Sequence, residues 1–265
     1  MHRARKRFGQ NFLQDNGIIY SIITLINPSS DMHLIEIGPG LGALTLPLLS
    51  NLDQLDLLEI DRDLVAFWKE KNLQGLTVIE GDALQFDFGA WAKNRSSKKG
   101  LCKVVGNLPY NISSPLLFHL VSAASEIDEQ VFMLQAEVVE RMVAPAGSSD
   151  FSRLSVMLQA RYDMELVLEV PPEAFDPQPK VNSAVVRMIP RKNFSLSEIQ
   201  WNALERVVAA AFSQRRKMLR TNLQTFADKL NLTEVELKSR AQDISVDRYI
   251  EWAKILAPHL VEALA

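Results

Sequence analysis

Apolar residues cluster in short, nearly continuous runs at 34–37, 55–60, 76–79, 103–105 and 131–134. Runs this short, without alternation, read as strands buried on both faces. Between them, 43–50, 64–71 and 116–124 repeat apolar positions at the helical period. Strand alternating with helix predicts a parallel, doubly wound α/β sheet. Ahead of it, 18–26 reads as a helix stopped by Asn27 and Pro28. After Arg161 the pattern changes: 165–170 and 184–189 are strand-like and joined by a proline-rich loop, which predicts an antiparallel hairpin at one edge of the sheet. Pro190, Arg191, Lys192 and Asn193 read as a linker, and Ser195 with Glu198 as a capping box opening a new helix. Every later apolar pattern is helical, with a second box at Thr233 and Glu236. The expected organisation is a sheet domain at 1–190 and a small all-helical domain at 194–265.

Composition narrows the class. The 265 residues are 47% hydrophobic and 23% charged, a globular mixture that excludes disorder and low complexity as the main state. One cysteine, Cys102, leaves no intramolecular disulfide and fits a reducing compartment. The four histidines are scattered, so no structural zinc site is expected. No apolar run reaches the length of a spanning helix, and the start of the chain shows no signal-peptide core. The expectation is a cytoplasmic protein without membrane contact, monomeric by default.

The net charge of −3 hides two basic clusters, Arg3, Arg5, Lys6 and Arg7, and Arg215, Arg216, Lys217 and Arg220. Either alone is commonly a solvated face. Two such clusters on an otherwise acidic chain point to a polyanion, because phosphate contact depends on where cations cluster. On a helix Arg216 and Arg220 would share a face, with Lys217 beside them.

The first sheet strand runs into Gly38, Pro39, Gly40, Leu41 and Gly42, then a helix. Such a loop lets backbone pass close under a ligand at a helix N-terminus. The second strand ends in Glu59, Ile60 and Asp61, where an acid can take both ribose hydroxyls; the two features together suggest an adenosine-type cofactor. Asp82, with Ala83, closes the third strand and is placed to accept from an adenine amino group, although a turn aspartate would look the same. The fourth strand ends in Asn107, Leu108, Pro109 and Tyr110. An exocyclic base amine is a poor nucleophile. Two acceptors, the Asn107 side chain and the Pro109 carbonyl, would hold its hydrogens while the Tyr110 ring stacks on the base. By itself that motif is equally a tight structural turn. A nicotinamide dehydrogenase would share the glycine loop and Glu59 but needs a hydride-transfer site near the fourth strand, and none is seen.

These residues resemble a Rossmann-like S-adenosylmethionine methyltransferase acting on adenine N6. More closely, KRFGQNFL at 6–13, EIGPGLGALT at 36–45, NLPYNISSPLLF at 107–118, PPEAFDPQPKVNSAVV at 171–186 and AFSQRRKMLRTNL at 211–223 resemble the small-subunit ribosomal RNA adenine dimethyltransferases, over nearly the whole chain. Gln178 stands where relatives commonly carry another proline. The resemblance implies S-adenosyl-L-methionine as cofactor, S-adenosyl-L-homocysteine as product, and a cofactor pocket of Asn11, Leu13, Gly38, Gly40, Glu59, Ile60, Asp82, Ala83 and Asn107. It implies N6,N6-dimethylation of two adjacent adenosines in the loop of the 3′-terminal hairpin of 16S rRNA, in an immature 30S particle. It implies that Tyr110 and Phe175 sandwich the target base, whereas Phe175 read alone is more often a packed ring. RNA contacts fall to Arg5, Lys6, Arg7, Arg215, Arg216, Lys217 and Arg220. A large-subunit rRNA methyltransferase of the macrolide-resistance type would share the Asn107–Tyr110 and Phe175 features. An assembly factor that acts by binding is a third reading.

Overall fold

The computed structural model describes residues 10–96, 100–194 and 196–262. They fall into two compact units, one within Met1–Val139 and Met164–Pro190 and the other within Glu140–Asp163 and Arg191–Ala265.

The first unit is built on a seven-stranded sheet. Its strands are β2 (His33–Ile37), β3 (Leu55–Glu59), β4 (Leu76–Glu80), β5 (Cys102–Asn107), β6 (Glu129–Gln135), β7 (Tyr162–Val170) and β9 (Ser183–Pro190), in the order β4-β3-β2-β5-β6-β9-β7. β4 through β6 in that order pair in parallel, and β9 runs antiparallel to β6. Burial follows sheet position. β3, in the interior of the sheet, is buried throughout, while the edge strand β4 is half-exposed. The sheet is therefore α/β with an antiparallel edge, as the apolar runs predict. Two further two-residue strands, β1 (Phe12–Leu13) and β8 (Phe175–Asp176), pair with each other, Leu13 opposite Phe175.

Helices α1 (Asn16–Ile26), α2 (Thr45–Leu49), α3 (Arg62–Lys71), α4 (Phe88–Ser96) and α5 (Ser113–Val121) connect the strands. The Asp15 carboxylate caps α1 by accepting from the Gly17 and Ile18 N–H groups, at 2.8 and 3.0 Å. Asn27 ends it in the left-handed region, φ 47°, so the expected stop falls where Asn27 and Pro28 placed it. A buried ion pair ties α1 to the sheet: Lys103 Nζ donates to the Ile26 carbonyl and meets Glu129, each at 2.8 Å, and the half-exposed Arg187 meets the other oxygen of Glu129 at 2.5 Å.

The second unit is helical apart from the start of β7. α6 (Ala136–Val143) leads into it, followed by α7 (Arg153–Gln159), α8 (Glu198–Ala211), α9 (Leu219–Asn222), α10 (Ala227–Leu230), α11 (Glu234–Lys238) and α12 (Val246–Glu262). α8 and α12 pack along each other, burying Leu204, Val207, Val208, Trp252 and Leu256. The expected box at Thr233 and Glu236 caps α11. The α8 box, in contrast, is Ser197 with Gln200, not Ser195 with Glu198. Ser195 lies outside the described residues, and the backbone turns helical only at Glu198, so the residue that can cap it is Ser197.

Candidate active site

The carboxyl ends of β2, β3, β4 and β5 open on a cavity of about 550 Å³. Asn11, Leu13, Gly38, Gly40, Glu59, Ile60, Asp82, Ala83, Asn107, Pro109 and Tyr110 all line it. Ligands of open α/β sheets bind at this edge. Four strand ends and the chain entering from the N-terminal side thus bring the separate sequence signals to one place.

The floor is the loop after β2. Gly38, Gly40 and Gly42 have φ of 66°, 55° and 99°, in the region that L side chains avoid. At Gly42 a Cβ would stand 2.6 Å from the Trp68 ring, so close packing as well as φ demands glycine. The Trp68 indole N–H donates to the Gly40 carbonyl at 3.0 Å and pins the loop from below.

The walls are acidic. Glu59 Oε1 accepts from the Ile60 and Asp61 N–H groups, both at 2.8 Å. Burial raises its pKa, opposed by the backbone bonds from Asp61, Ile60 and Gly40. Glu36, 2% exposed, lies within β2 and accepts from the Thr45 hydroxyl at 2.7 Å. Burial pushes its pKa up to about 7, the Thr45 bond opposing and the Glu59 charge reinforcing the shift. Asp82 Oδ1 accepts from Leu84 N–H at 2.9 Å, which fixes the turn after β4. No lysine or arginine is among the described lining residues. An acidic lining with no lysine or arginine among the described residues suits a ligand that carries positive charge.

Residues 10–14 cross the cavity. Gln10 donates to Asp61 at 3.3 Å, the Phe12 ring lies against Gly40, and Gln14 N–H donates to the Ala174 carbonyl at 2.8 Å. At the centre, the Asn107 Nδ2 donates to the Asn11 carbonyl at 3.1 Å. With Nδ2 held there, Oδ1 is the acceptor of that side chain left for a ligand. The Pro109 carbonyl, expected as a second acceptor, receives the Ser113 hydroxyl at 3.1 Å and the Ile112 N–H at 3.2 Å, closing the turn into α5. Of the two expected acceptors, Asn107 Oδ1 is the one not used in closing that turn. Tyr110 is half-buried, and its hydroxyl bonds the Ser183 hydroxyl at 2.7 Å.

Phe175, expected opposite Tyr110, is not among the cavity-lining residues. Its ring is 3% exposed and belongs to the hydrophobic cluster that includes Leu13, Ile22 and Val170; burying an aromatic side chain there holds β8 against β1. Arg5, Lys6 and Arg7 lie outside the described residues. Arg215, Arg216 and Lys217 are exposed, as a phosphate contact requires, but they sit in the turn after α8, and of the cluster only Arg220 is helical. The helical face expected for them does not form. Asn222 Nδ2 donates to the carbonyls of Ala211 and Gln214 at 2.6 and 3.1 Å, ending α8, and the N–H of buried Leu219 donates to the Ser239 carbonyl. Glu36, Trp68 and Ser183 are contributors that the sequence alone did not single out. The signal for Glu36 was an acid inside a strand otherwise buried and apolar. Among the described residues no cluster suits a metal, and no helix is long and apolar enough to cross a membrane.

Known proteins are similar to this chain in sequence and in fold. The chain is 50% identical over 259 residues to a ribosomal RNA small subunit methyltransferase A of Dechloromonas aromatica, covering 97% of this chain and 99% of that protein. It is 52% identical over 262 residues to the protein of the same name from Burkholderia ambifaria, covering 97% and 95%. Among solved structures, a dimethyladenosine transferase from Plasmodium falciparum superposes with a TM-score of 0.76 at 25% identity, over 91% of this chain and 95% of that one. The 23S rRNA methyltransferase ErmE shares the fold, with a TM-score of 0.67 at 23% identity over 93% and 99%. The family described as ribosomal RNA adenine dimethylase matches residues 1–258. With that match and relatives 50% and 52% identical over 97% of its length, the chain belongs to the ribosomal RNA adenine dimethylase family.

Proposed function

We propose that the chain binds S-adenosyl-L-methionine in this cavity and methylates N6 of two adjacent adenosines in the loop of the 3′-terminal hairpin of 16S rRNA, twice each, in an immature small subunit. Family membership and the names of the relatives support the reaction class. The observation that carries the site assignment is the Asn107 amide, whose nitrogen is held by the Asn11 carbonyl.

The residues present fit the cofactor. Glu59 would take the ribose hydroxyls, Asp82 and Ala83 would border the adenine, and the loop at Gly38 and Gly40 would pass under the methionine end. The acidic lining, without lysine or arginine among the described residues, favours its positive charge. Bound there, S-adenosyl-L-methionine supplies a methyl group already activated as a sulfonium.

What the chain's own residues must do follows from the amine. The N6 lone pair is delocalised into the ring, so an acceptor on an N6 hydrogen favours the pyramidal, nucleophilic form, and Asn107 Oδ1 is that acceptor. Tyr110 offers the ring on which the extruded base stacks. Alignment is most of the catalysis, and the proton departs after transfer, so no strong base is needed. Arg215, Arg216, Lys217 and Arg220, with Arg5, Lys6 and Arg7, would contact rRNA phosphates.

The test is transfer of labelled methyl to unmethylated small and large subunits, followed by nucleoside analysis. The expected result is N6,N6-dimethyladenosine in small-subunit rRNA. Label in the large subunit instead would move the assignment to the other branch, and binding to small subunits without transfer would favour an assembly factor.

A further inference from the structure

We propose that Ser183 is a positioning residue for methyl transfer, holding the Tyr110 ring in place through its hydroxyl. The inference rests on the reading of Tyr110 as the base-stacking ring and adds what fixes that ring.

The two hydroxyls lie 2.7 Å apart although the residues are 73 positions apart in sequence. Ser183 is 1% exposed, so its hydroxyl cannot turn to solvent for a partner, and Tyr110 is the partner the structure gives it. Its position is set by the sheet. Ser183 opens β9 opposite Gln135, and the neighbouring Asn182 carbonyl accepts from Ala136 N–H at 2.9 Å. The backbone end of Tyr110 is fixed as firmly. Ser113 places its hydroxyl within reach of both the Pro109 and Tyr110 carbonyls, at 3.1 and 3.3 Å, and Leu108 N–H is held by the Met133 carbonyl at 3.0 Å. The ring is therefore tethered at both ends.

A stacking ring needs only its face to meet a base; phenylalanine would supply that face equally well. The hydroxyl has a different use, which is to hold the far end of the ring and so stop it from swinging about χ1. Because alignment provides most of the rate, a loosened ring costs turnover more than binding. Only the register of β9 on β6 presents this serine, and that explains why a small polar residue stands at the head of an apolar strand.

The experiment compares wild type with Ser183→Ala, Ser183→Thr, Tyr110→Phe, the Ser183→Ala/Tyr110→Phe double variant and Tyr110→Leu, on unmethylated small subunits. The expected result is a fall of about tenfold or more in kcat for Ser183→Ala and Tyr110→Phe, with KM for subunits and Kd for S-adenosyl-L-methionine held. The double variant should be no worse than either single one, and Ser183→Thr should restore most of the rate. Wild-type kcat in Ser183→Ala, or multiplicative losses in the double variant, would overturn the tether while a dead Tyr110→Leu leaves the base-stacking reading standing. Wild-type kcat in Tyr110→Leu would overturn that reading and the proposal with it. Should Ser183→Ala not fold, Tyr110→Phe decides, since it removes the same bond and leaves Ser183 in place.

Discussion

Glu36 is the residue at which burial and chemistry conflict most sharply. It is an acid enclosed in β2, its pKa pushed up from 4.5 to about 7 chiefly by burial. The folded state therefore holds this proton more tightly than the unfolded chain, so the contribution of this group to stability is fully present below the ordinary carboxylate range and is lost as pH rises through about 4.5 to 7. The loss reaches about 3 kcal/mol at most. Glu36→Gln keeps an acceptor for Thr45 and removes the titration. Its denaturation midpoint should gain on that of wild type across this window and hold a constant lead above pH 8. Parallel profiles for the two proteins would contradict the assignment. At this scale the sequence was readable where topology forces the answer. Polar residues at strand carboxyl ends, Glu59, Asp82 and Asn107, all reach the cavity because parallel strands end on one edge. Glu36 was hidden inside an apolar run, and the partner of Ser183 depends on a strand register that no local pattern encodes.

Among elements, the turn joining α8 to α9 has the clearest functional consequence. Arg215, Arg216 and Lys217 are exposed there on a segment whose ends are fastened by Asn222 and by the buried Leu219. A fixed turn can present adjacent cations together, which a regular helix would splay by about 100° per residue. Replacing the three by alanine should weaken binding to small subunits and flatten the slope of log K against log salt by about 1 for each phosphate left without its cation. Equal affinity and slope in titrations from low to high salt would remove the turn from the interface. Long elements were legible because their periods are strong, as β2, β3 and α3 show. The failures share one cause, which is brevity. β1 and β8 have two residues each and no period, and the 213–217 turn and the α8 cap depend on which of several equivalent serines and asparagines finds a partner.

At the scale of the whole molecule, the parallel order β4-β3-β2-β5-β6 explains why one chain can gather a single cavity from four strand ends. The alternation of strand and helix, the antiparallel edge and the helical C-terminal region were readable from the sequence. The pairing of β1 with β8, which delivers Asn11 to Asn107, was not, because it joins segments more than 150 residues apart. In the proposed reaction catalysis turns on one amide: Asn107 Oδ1 would accept from N6 while its nitrogen is held by the Asn11 carbonyl. Single-turnover methyl transfer by Asn107→Ala, with Kd for S-adenosyl-L-methionine measured in parallel, tests this most directly. The predicted rate is lower by about a hundredfold or more, the size of effect that removing one hydrogen bond to the transition state produces, with cofactor affinity changed only a few-fold. Transfer at the wild-type rate would contradict this role for Asn107.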